Sequence, residues 1–218
     1  IRTSREEIET MSRAGSVVAS SLALLGELAK PGVTTAELDD AAESHIRSAG
    51  GVPTFKGYRG FPAAICTSPN SMVVHGIPGP YTLGAGDVLS VDVGVTLDGF
   101  VADSAYTFAV GTVDDEAERL LEVAQAALAA GIEQARAGNH VQDISAAVQR
   151  TTEAAGFSVV RSLVGHGIGR SMHEEPQVPN FGEPGQGPLL QPGMTLAIEP
   201  MINAGGPDVW MADDRWSI

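Results

Sequence analysis

The stretch Val88–Phe108, VLSVDVGVTLDGFVADSAYTF, decides the fold. It consists of β-branched and aromatic residues on both sides of one turn-forming segment, Leu97–Gly99, so it predicts a β-hairpin. If the first two turn residues form the loop, Asp92 lies directly opposite Asp103. If the last two form it, the two aspartates are diagonal neighbours. In either register both side chains are on the same face of the sheet.

Two carboxylates on one face of an otherwise apolar sheet repel each other. Charged side chains are rarely buried in such surroundings unless they are paired or bound to a cation. A positive group is therefore expected between Asp92 and Asp103. One alternative is a single proton shared by the two carboxyl groups.

Composition narrows the class of protein. The chain has 218 residues, 43% of them apolar and 18% charged, as in an ordinary globular protein. Its 13 basic and 27 acidic residues give a formal charge of −14. Because binding to phosphates depends on clusters of Lys and Arg, this charge argues against nucleic acid or an anionic membrane as partner. An acidic chain suits a metal ion or an amine instead.

The cellular compartment of the protein is predicted from its single cysteine and from its hydropathy. Cys66 is the only cysteine, which excludes an internal disulfide and fits a reducing compartment, so a cytoplasmic protein is expected. The apolar run from Val17 to Leu28 is too short and too polar to span a bilayer. The chain starts at Ile1 and stops at Ile218 in mid-pattern, so both ends are expected to be cut.

Four helices are predicted from apolar periodicity and from capping and stop signals. They span 4–29, 34–49, 114–136 and 140–155. Each pair is followed by strands, and the order of helix, break, helix and glycine repeats when Arg13 is placed on Arg119. We therefore predict an α/β (α+β) fold in which residues 1–218 form one catalytic domain. Its two pseudo-symmetric halves, about 1–110 and 111–218, would flank a cleft.

Two more ligand-type residues follow strand patterns in the second half. His166 directly follows the predicted strand SVVRSLVG, and Glu199 lies in a predicted strand from Met194 to Ile202. Each residue taken alone is more often an ordinary surface or core residue. Together with the two aspartates they make three carboxylates and one imidazole, which favours Mn, Fe, Co or Zn over Ca. Such a site is suited to metal-assisted hydrolysis.

Four segments resemble the motifs of type I methionine aminopeptidases, which have the pita-bread fold. They are NSMVVHGIP (70–78), DVGVTLDGFVADSAYTF (92–108), GHGIGRSMHEEPQVPNF (165–181) and GMTLAIEPM (193–201). The motifs occur in the order of the family, and the resemblance covers essentially the whole chain. It implies an enzyme that removes the initiator methionine from nascent proteins.

The resemblance also implies roles for individual residues. Two divalent ions would be bound by Asp92, Asp103, His166 and Glu199. Glu199 would also transfer a proton, while the non-ligand residues His75 and His173 would contact the scissile amide and stabilise the tetrahedral intermediate. The pocket for the methionine side chain would be lined by Tyr58, Phe61, Cys66, Met172 and Trp216. Phe61 and Met172 depart from the family pattern, which leaves the pocket's shape open.

Further expectations follow from the resemblance. The family has a fifth ligand, a second Glu, but no Glu follows Glu199, so we expect a missing C-terminal strand beyond Ile218 to carry it. The partners would be N-terminal Met peptides, with ribosome contact as a further expectation, and the protein would be a monomer. The alternatives are a proline-specific Xaa-Pro peptidase of the same fold, or an inactive pita-bread protein that only binds a partner.

Overall fold

The computed structural model describes residues 4–218, which form two compact units. The first, called here the N-terminal unit, comprises Ser4–Asp114, Gly169–Met172 and Trp210–Ile218. The other, called the second unit, comprises Asp115–Ile168 and His173–Val209. Among the described residues, no helix is both long and apolar enough to cross a membrane.

Two helices open the N-terminal unit, as the sequence predicts. Helix α1 (Arg5–Leu28) begins at Ser4, whose hydroxyl accepts a hydrogen bond from the backbone N–H of Glu7. Helix α2 (Thr35–Ser48) begins with the predicted capping box: the Thr34 and Glu37 side chains each accept a hydrogen bond from the other residue's backbone N–H. These bonds satisfy amides that the first turn of a helix otherwise leaves unpaired.

The sheet of the N-terminal unit is built around strand β3. Strands β1 (Val52–Pro53) and β2 (Ile65–Pro69) pair with successive parts of one edge of β3 (Val88–Leu97), and β4 (Phe100–Ala109) pairs with its other edge. All of these pairings are antiparallel. A 3-10 turn, Tyr58–Gly60, lies between β1 and β2.

The predicted hairpin forms, in the second of the two possible registers. Leu97 pairs with Phe100, so the loop consists of Asp98 and Gly99. Both loop residues have positive φ, 49° and 79°, the conformation that favours Asp-Gly in two-residue hairpins. The direct pairing of Asp92 with Asp103 is therefore wrong. The two aspartates are diagonal neighbours that share a face.

The other face of this sheet forms the hydrophobic core with α1 and α2. From Leu89 to Val93, buried apolar residues of β3 alternate with half-buried polar ones, so the apolar side chains point into the core and Asp92 points away from it. The core residues with no exposed surface include Leu25, Leu38, Ile46, Leu89, Val91, Val93 and Val95. A rigid apolar layer thus supports the face that carries the two aspartates.

The second unit has the same order of elements. Helices α3 (Asp115–Gln134) and α4 (Val141–Ala154) agree with the prediction to within two residues at each end. Five short strands follow, in two small antiparallel sheets of order β5-β9 and β7-β6-β8. The strands are β5 (Ser158–Val159), β6 (Val164–Gly167), β7 (Glu174–Pro179), β8 (Leu196–Ala197) and β9 (Ile202–Asn203).

Two predicted strands of this unit are wrong as continuous elements. The stretch before His166 divides into β5 and β6, and His166 lies inside β6 instead of following a strand. The predicted strand from Met194 to Ile202 divides into β8 and β9, which belong to different sheets. Pro200 lies in the gap and has no N–H to donate to a ladder, which favours a break at this position. Glu199 therefore lies in an irregular segment between two strands.

Candidate active site

The first group of predicted ligands lies on the face of the hairpin that points away from the hydrophobic core. Asp92 is opposite Ala105, and Asp103 is opposite Gly94, so the two carboxylates are offset by one pair along the same face. Ala102 and Phe108, which alternate with Asp103 along β4, pack towards the core cluster. Both aspartates are half-buried. Their position on a well-packed sheet limits how far they can separate.

Cys66 continues this face onto β2, where it is paired with Asp92. The thiol is buried, and burial raises its pKa well above the usual value, with further increases from the charges of Asp92, Asp103 and Asp39. The thiol is therefore neutral at physiological pH and acts as a small apolar wall. Two of these charges, those of Asp92 and Asp103, belong to the predicted metal ligands and would be offset by a bound cation.

The second group of predicted ligands is in the second unit. His166 is 6% exposed and lies in β6, with its Nε2 atom 3.1 Å from Oε1 of Glu199. Its Nδ1 atom is 2.8 Å from the backbone oxygen of Gly167. Because a carbonyl oxygen can only accept, Nδ1 carries the proton and Nε2 presents a lone pair in the neutral imidazole.

This arrangement fits a metal ion. Oε1 of Glu199 is buried and accepts no hydrogen bond from any described residue. It faces a second atom with a lone pair, which is unfavourable unless a proton or a cation lies between them. Histidines that bind metals commonly donate their other ring N–H to a carbonyl, as His166 does to Gly167. His166 and Glu199 thus have the chemistry and orientation of ligands to one ion.

The two other predicted active-site histidines lie in different units. His173 precedes β7 and is exposed, and its ring centroid is 4.3 Å from that of His166. His75 belongs to the N-terminal unit, in the loop after β2, with a φ of 60°. A positive φ is uncommon outside glycine, although His adopts it more readily than most residues.

The predicted residues of the methionine pocket all belong to the N-terminal unit. The rings of Phe61 and Trp216 meet edge to face with centroids 5.1 Å apart. Phe61 is 4% exposed and Met172 is 7% exposed, while Tyr58 is half-buried. The contact of Phe61 with Trp216 brings together two residues far apart in sequence. Their binding to substrate stays a prediction.

Asp214 holds Trp216 in place and was not identified from the sequence. Its carboxylate accepts hydrogen bonds from the backbone N–H of Trp216 and from both the N–H and the hydroxyl of Ser217, at 2.5–2.9 Å. These bonds lower the pKa of Asp214, with the hydroxyl of Ser217 as the largest contribution. Asp side chains commonly form hydrogen bonds with the backbone two residues further on, so this turn at Asp214 could have been predicted from the sequence.

The lowered pKa of Asp214 predicts how docking of Trp216 depends on pH. A carboxyl group whose pKa is depressed in the folded state stabilises that state above its unfolded pKa, about 3.9, and the effect disappears as pH falls through the lower folded value. In a Trp210→Phe background, the fluorescence emission of Trp216 should stay constant from pH 7 to about pH 4 and shift to longer wavelength below that.

Asp214→Ala should show the shifted emission already at pH 7. Asp213→Ala, which removes the neighbouring carboxylate, is the control and should behave like the parent. Circular dichroism reports whether the rest of the protein stays folded. Parent-like emission of Asp214→Ala at pH 7 would contradict the role of this carboxylate.

A second carboxylate that was not identified from the sequence supports β2, the strand that carries Cys66 of the predicted pocket. Asp39, in α2, accepts hydrogen bonds from the backbone N–H groups of Ala64 and Ile65, at 2.9 and 3.0 Å. Burial raises its pKa. The two bonds fix the start of β2, one residue before Cys66. No local sequence pattern indicates this contact, because it joins a helix to residues 25 and 26 positions further along the chain.

Comparison with known proteins agrees with the resemblance in the motifs. Residues 9–215 match the profile of metallopeptidase family M24. A methionine aminopeptidase of Clostridium perfringens is 50% identical over 218 residues, covering 100% of this chain and 88% of the relative. The crystal structure of the methionine aminopeptidase from Thermotoga maritima has a TM-score of 0.98 at 39% identity, covering 100% of this chain and 88% of that one.

A more distantly related structure is similar in fold at a much lower sequence identity. Prolidase from Pyrococcus furiosus has a TM-score of 0.80 at 20% identity, and the match covers 92% of this chain but 57% of the prolidase. At that identity the likeness shows the fold alone. The fold is the pita-bread fold, as predicted. The chain belongs to metallopeptidase family M24 and, within it, to the methionine aminopeptidases.

Proposed function

We propose that this protein removes the initiator methionine from new polypeptide chains. The observation that carries the proposal is the buried Oε1 of Glu199, which faces Nε2 of His166 at 3.1 Å without a hydrogen bond. A metal-dependent peptidase needs such an atom as a ligand, whereas a protein that only binds a partner does not. The 50% identity with the methionine aminopeptidase of Clostridium perfringens supports the substrate class.

The proposed metal site uses all four predicted ligands and two divalent ions. Asp103, His166 and Glu199 each offer one atom of a type that binds metals, and Asp92 offers a further carboxylate from the same face as Asp103. Oxygen ligands with a single nitrogen suit Co, Mn, Fe or Zn. Ions bound there would polarise the substrate carbonyl and make water a better nucleophile near neutral pH.

The protein's own side chains would then orient the substrate and move protons. Glu199 accepts a proton from the attacking water and passes it on, as expected of a carboxylate at the reacting centre. His173 donates a hydrogen bond to the developing oxyanion, and His75 contacts the scissile nitrogen. The free α-amine of the substrate lies near Asp92, which restricts cleavage to the first residue. The thiol and rings of the pocket accept the methionine side chain without desolvating a charge.

The cellular setting belongs to the same proposal. The single reduced cysteine supports a location in the cytoplasm. The negative net charge of the chain suits amine-bearing substrates more than nucleic acid. We place it among nascent chains, acting as a monomer and in contact with the ribosome. Each of these points can be tested independently of the catalytic assay.

The decisive experiment measures release of the first residue from two kinds of peptide. After removal of bound metal with a chelator and addition of Mn or Co, the protein should release Met from a Met-Gly-Met peptide. It should release nothing from an Xaa-Pro peptide. Without added metal the rate of Met release should also fall to background, because the carboxylate and imidazole ligands alone do not activate water sufficiently.

The alternatives predict different results. A proline-specific peptidase would cleave the Xaa-Pro peptide preferentially, and an inactive binding protein would cleave neither peptide with any metal. Glu199→Ala is the matched inactive control, since it lacks both a ligand and the proposed proton acceptor. Release of Met by this variant at the rate of the parent would show that the activity comes from a contaminant.

A further inference from the structure

The loop that carries His75 is attached to strand β2 through a buried hydroxyl. Ser68 is 2% exposed, and its Oγ accepts a hydrogen bond from the backbone N–H of Gly76 at 3.1 Å. The backbone N–H of Thr67 donates to the oxygen of Gly76 at 2.9 Å. Gly76 is buried and therefore depends on these protein contacts for its hydrogen bonds.

The approach of Gly76 to β2 is closer than any other residue would allow. A Cβ atom at this position would lie 2.0 Å from the oxygen of Thr67 and 2.5 Å from the sulfur of Met72. Since real Cβ atoms do not come this close to backbone oxygen, the contact requires glycine. The position of the residue next to His75 is thus set by the hydroxyl of Ser68 and by the missing side chain.

The residue on the other side of His75 is attached as well. The backbone N–H of Ile218 donates to the oxygen of Val74 at 3.1 Å, and the N–H of Val73 donates to the oxygen of Ile218 at 2.6 Å. His75 therefore lies between two anchored neighbours. Its φ of 60° is an uncommon conformation, which persists where the surroundings fix it on both sides.

We infer that Ser68 is a positioning residue whose hydroxyl, through the amide of Gly76, holds the His75 imidazole in its working place. The inference rests on the proposed function, which gives His75 its contact with substrate. Without the hydroxyl, the buried amide of Gly76 would lack an acceptor. The turn would have to shift towards water or another acceptor, and His75 would move with it.

The test compares Ser68→Ala with Ser90→Ala. Ser90 is directly opposite Ser68 in the sheet, and its hydroxyl forms a hydrogen bond with the hydroxyl of Thr107. Each variant therefore loses one hydrogen bond made by a serine of this sheet. We expect kcat for Met release to fall about 10- to 100-fold in Ser68→Ala, with KM and metal content unchanged, because small displacements of catalytic groups cost this much. Ser90→Ala should keep the parent's kcat.

A double-mutant cycle separates positioning from general destabilisation. Once His75 is replaced by Ala, adding Ser68→Ala should lower kcat by no more than about twofold, since both changes act through one side chain. A full additional loss in this background would overturn the inference. So would a kcat for Ser68→Ala equal to that of the parent.

A measurement without catalysis keeps the inference separate from the proposed function. In Ser68→Ala the amide of Gly76 should exchange its hydrogen faster, and the ring resonances of His75 should shift while those of His45 stay in place. If the parent releases no Met, the proposed function fails. These spectra would still show whether Ser68 positions His75. Unchanged exchange at Gly76 together with unchanged His75 resonances would overturn it.

Discussion

Asp103→Asn is expected to abolish both peptidase activity and retention of metal. Asn keeps the size of the side chain but removes one of the two negative charges on this face of the hairpin, so the ligand set would compensate a divalent ion less well. Loss of an outer-shell partner alone can weaken metal binding by about 10- to 100-fold. Loss of a direct ligand should cost at least as much, and Asp92→Asn should behave in the same way.

Asp98→Asn provides the matched control for this experiment. It lies in the turn of the same hairpin, 61% exposed and paired with Arg13, and Asn accepts its positive φ as readily as Asp does. Metal content is measured by elemental analysis after gel filtration, beside the rate of Met release. Normal metal content in Asp103→Asn, or an equal loss in Asp98→Asn, would show that Asp103 is not a ligand.

The sequence was sufficient to place Asp92 and Asp103 on one face because side chains alternate strictly along a strand. Either hairpin register keeps the parity, so the prediction did not depend on the turn. The sequence alone could also have decided between the two registers. Asp-Gly is the stronger signal for a two-residue loop in which both residues have positive φ, and this is the loop that forms.

Glu199 shows where reasoning from pattern fails. Alternation of apolar residues around it predicted a continuous strand, whereas β8 and β9 pair with different neighbours and Glu199 lies in the irregular segment between them. The choice of pairing partners depends on contacts distant in sequence, which a local pattern does not encode. The same is true of Asp39 and Ser68, whose acceptor roles appear only once helix, strand and loop are brought together.

The second large effect is expected at the non-ligand histidines. His173→Ala should lower kcat by about 10²- to 10³-fold, the usual cost of removing one hydrogen-bond donor to a developing oxyanion. KM should change little, because that donor acts mainly in the transition state. Metal content should equal that of the parent, since the proposed donor set of Asp92, Asp103, His166 and Glu199 remains intact. His75→Ala is expected to behave in the same way.

Metal content decides between this role and ligation. In His166→Ala the ion should be lost together with activity, because Glu199 loses the atom it faces at 3.1 Å. His45→Ala is the control and should keep its metal. The His45 ring forms a hydrogen bond with the hydroxyl of Ser20, which joins α2 to α1, and it belongs to no proposed site. If His173→Ala lost metal to the same extent as His166→Ala, His173 would be a ligand, and its exposed ring, 4.3 Å from that of His166, would have to turn towards the ion.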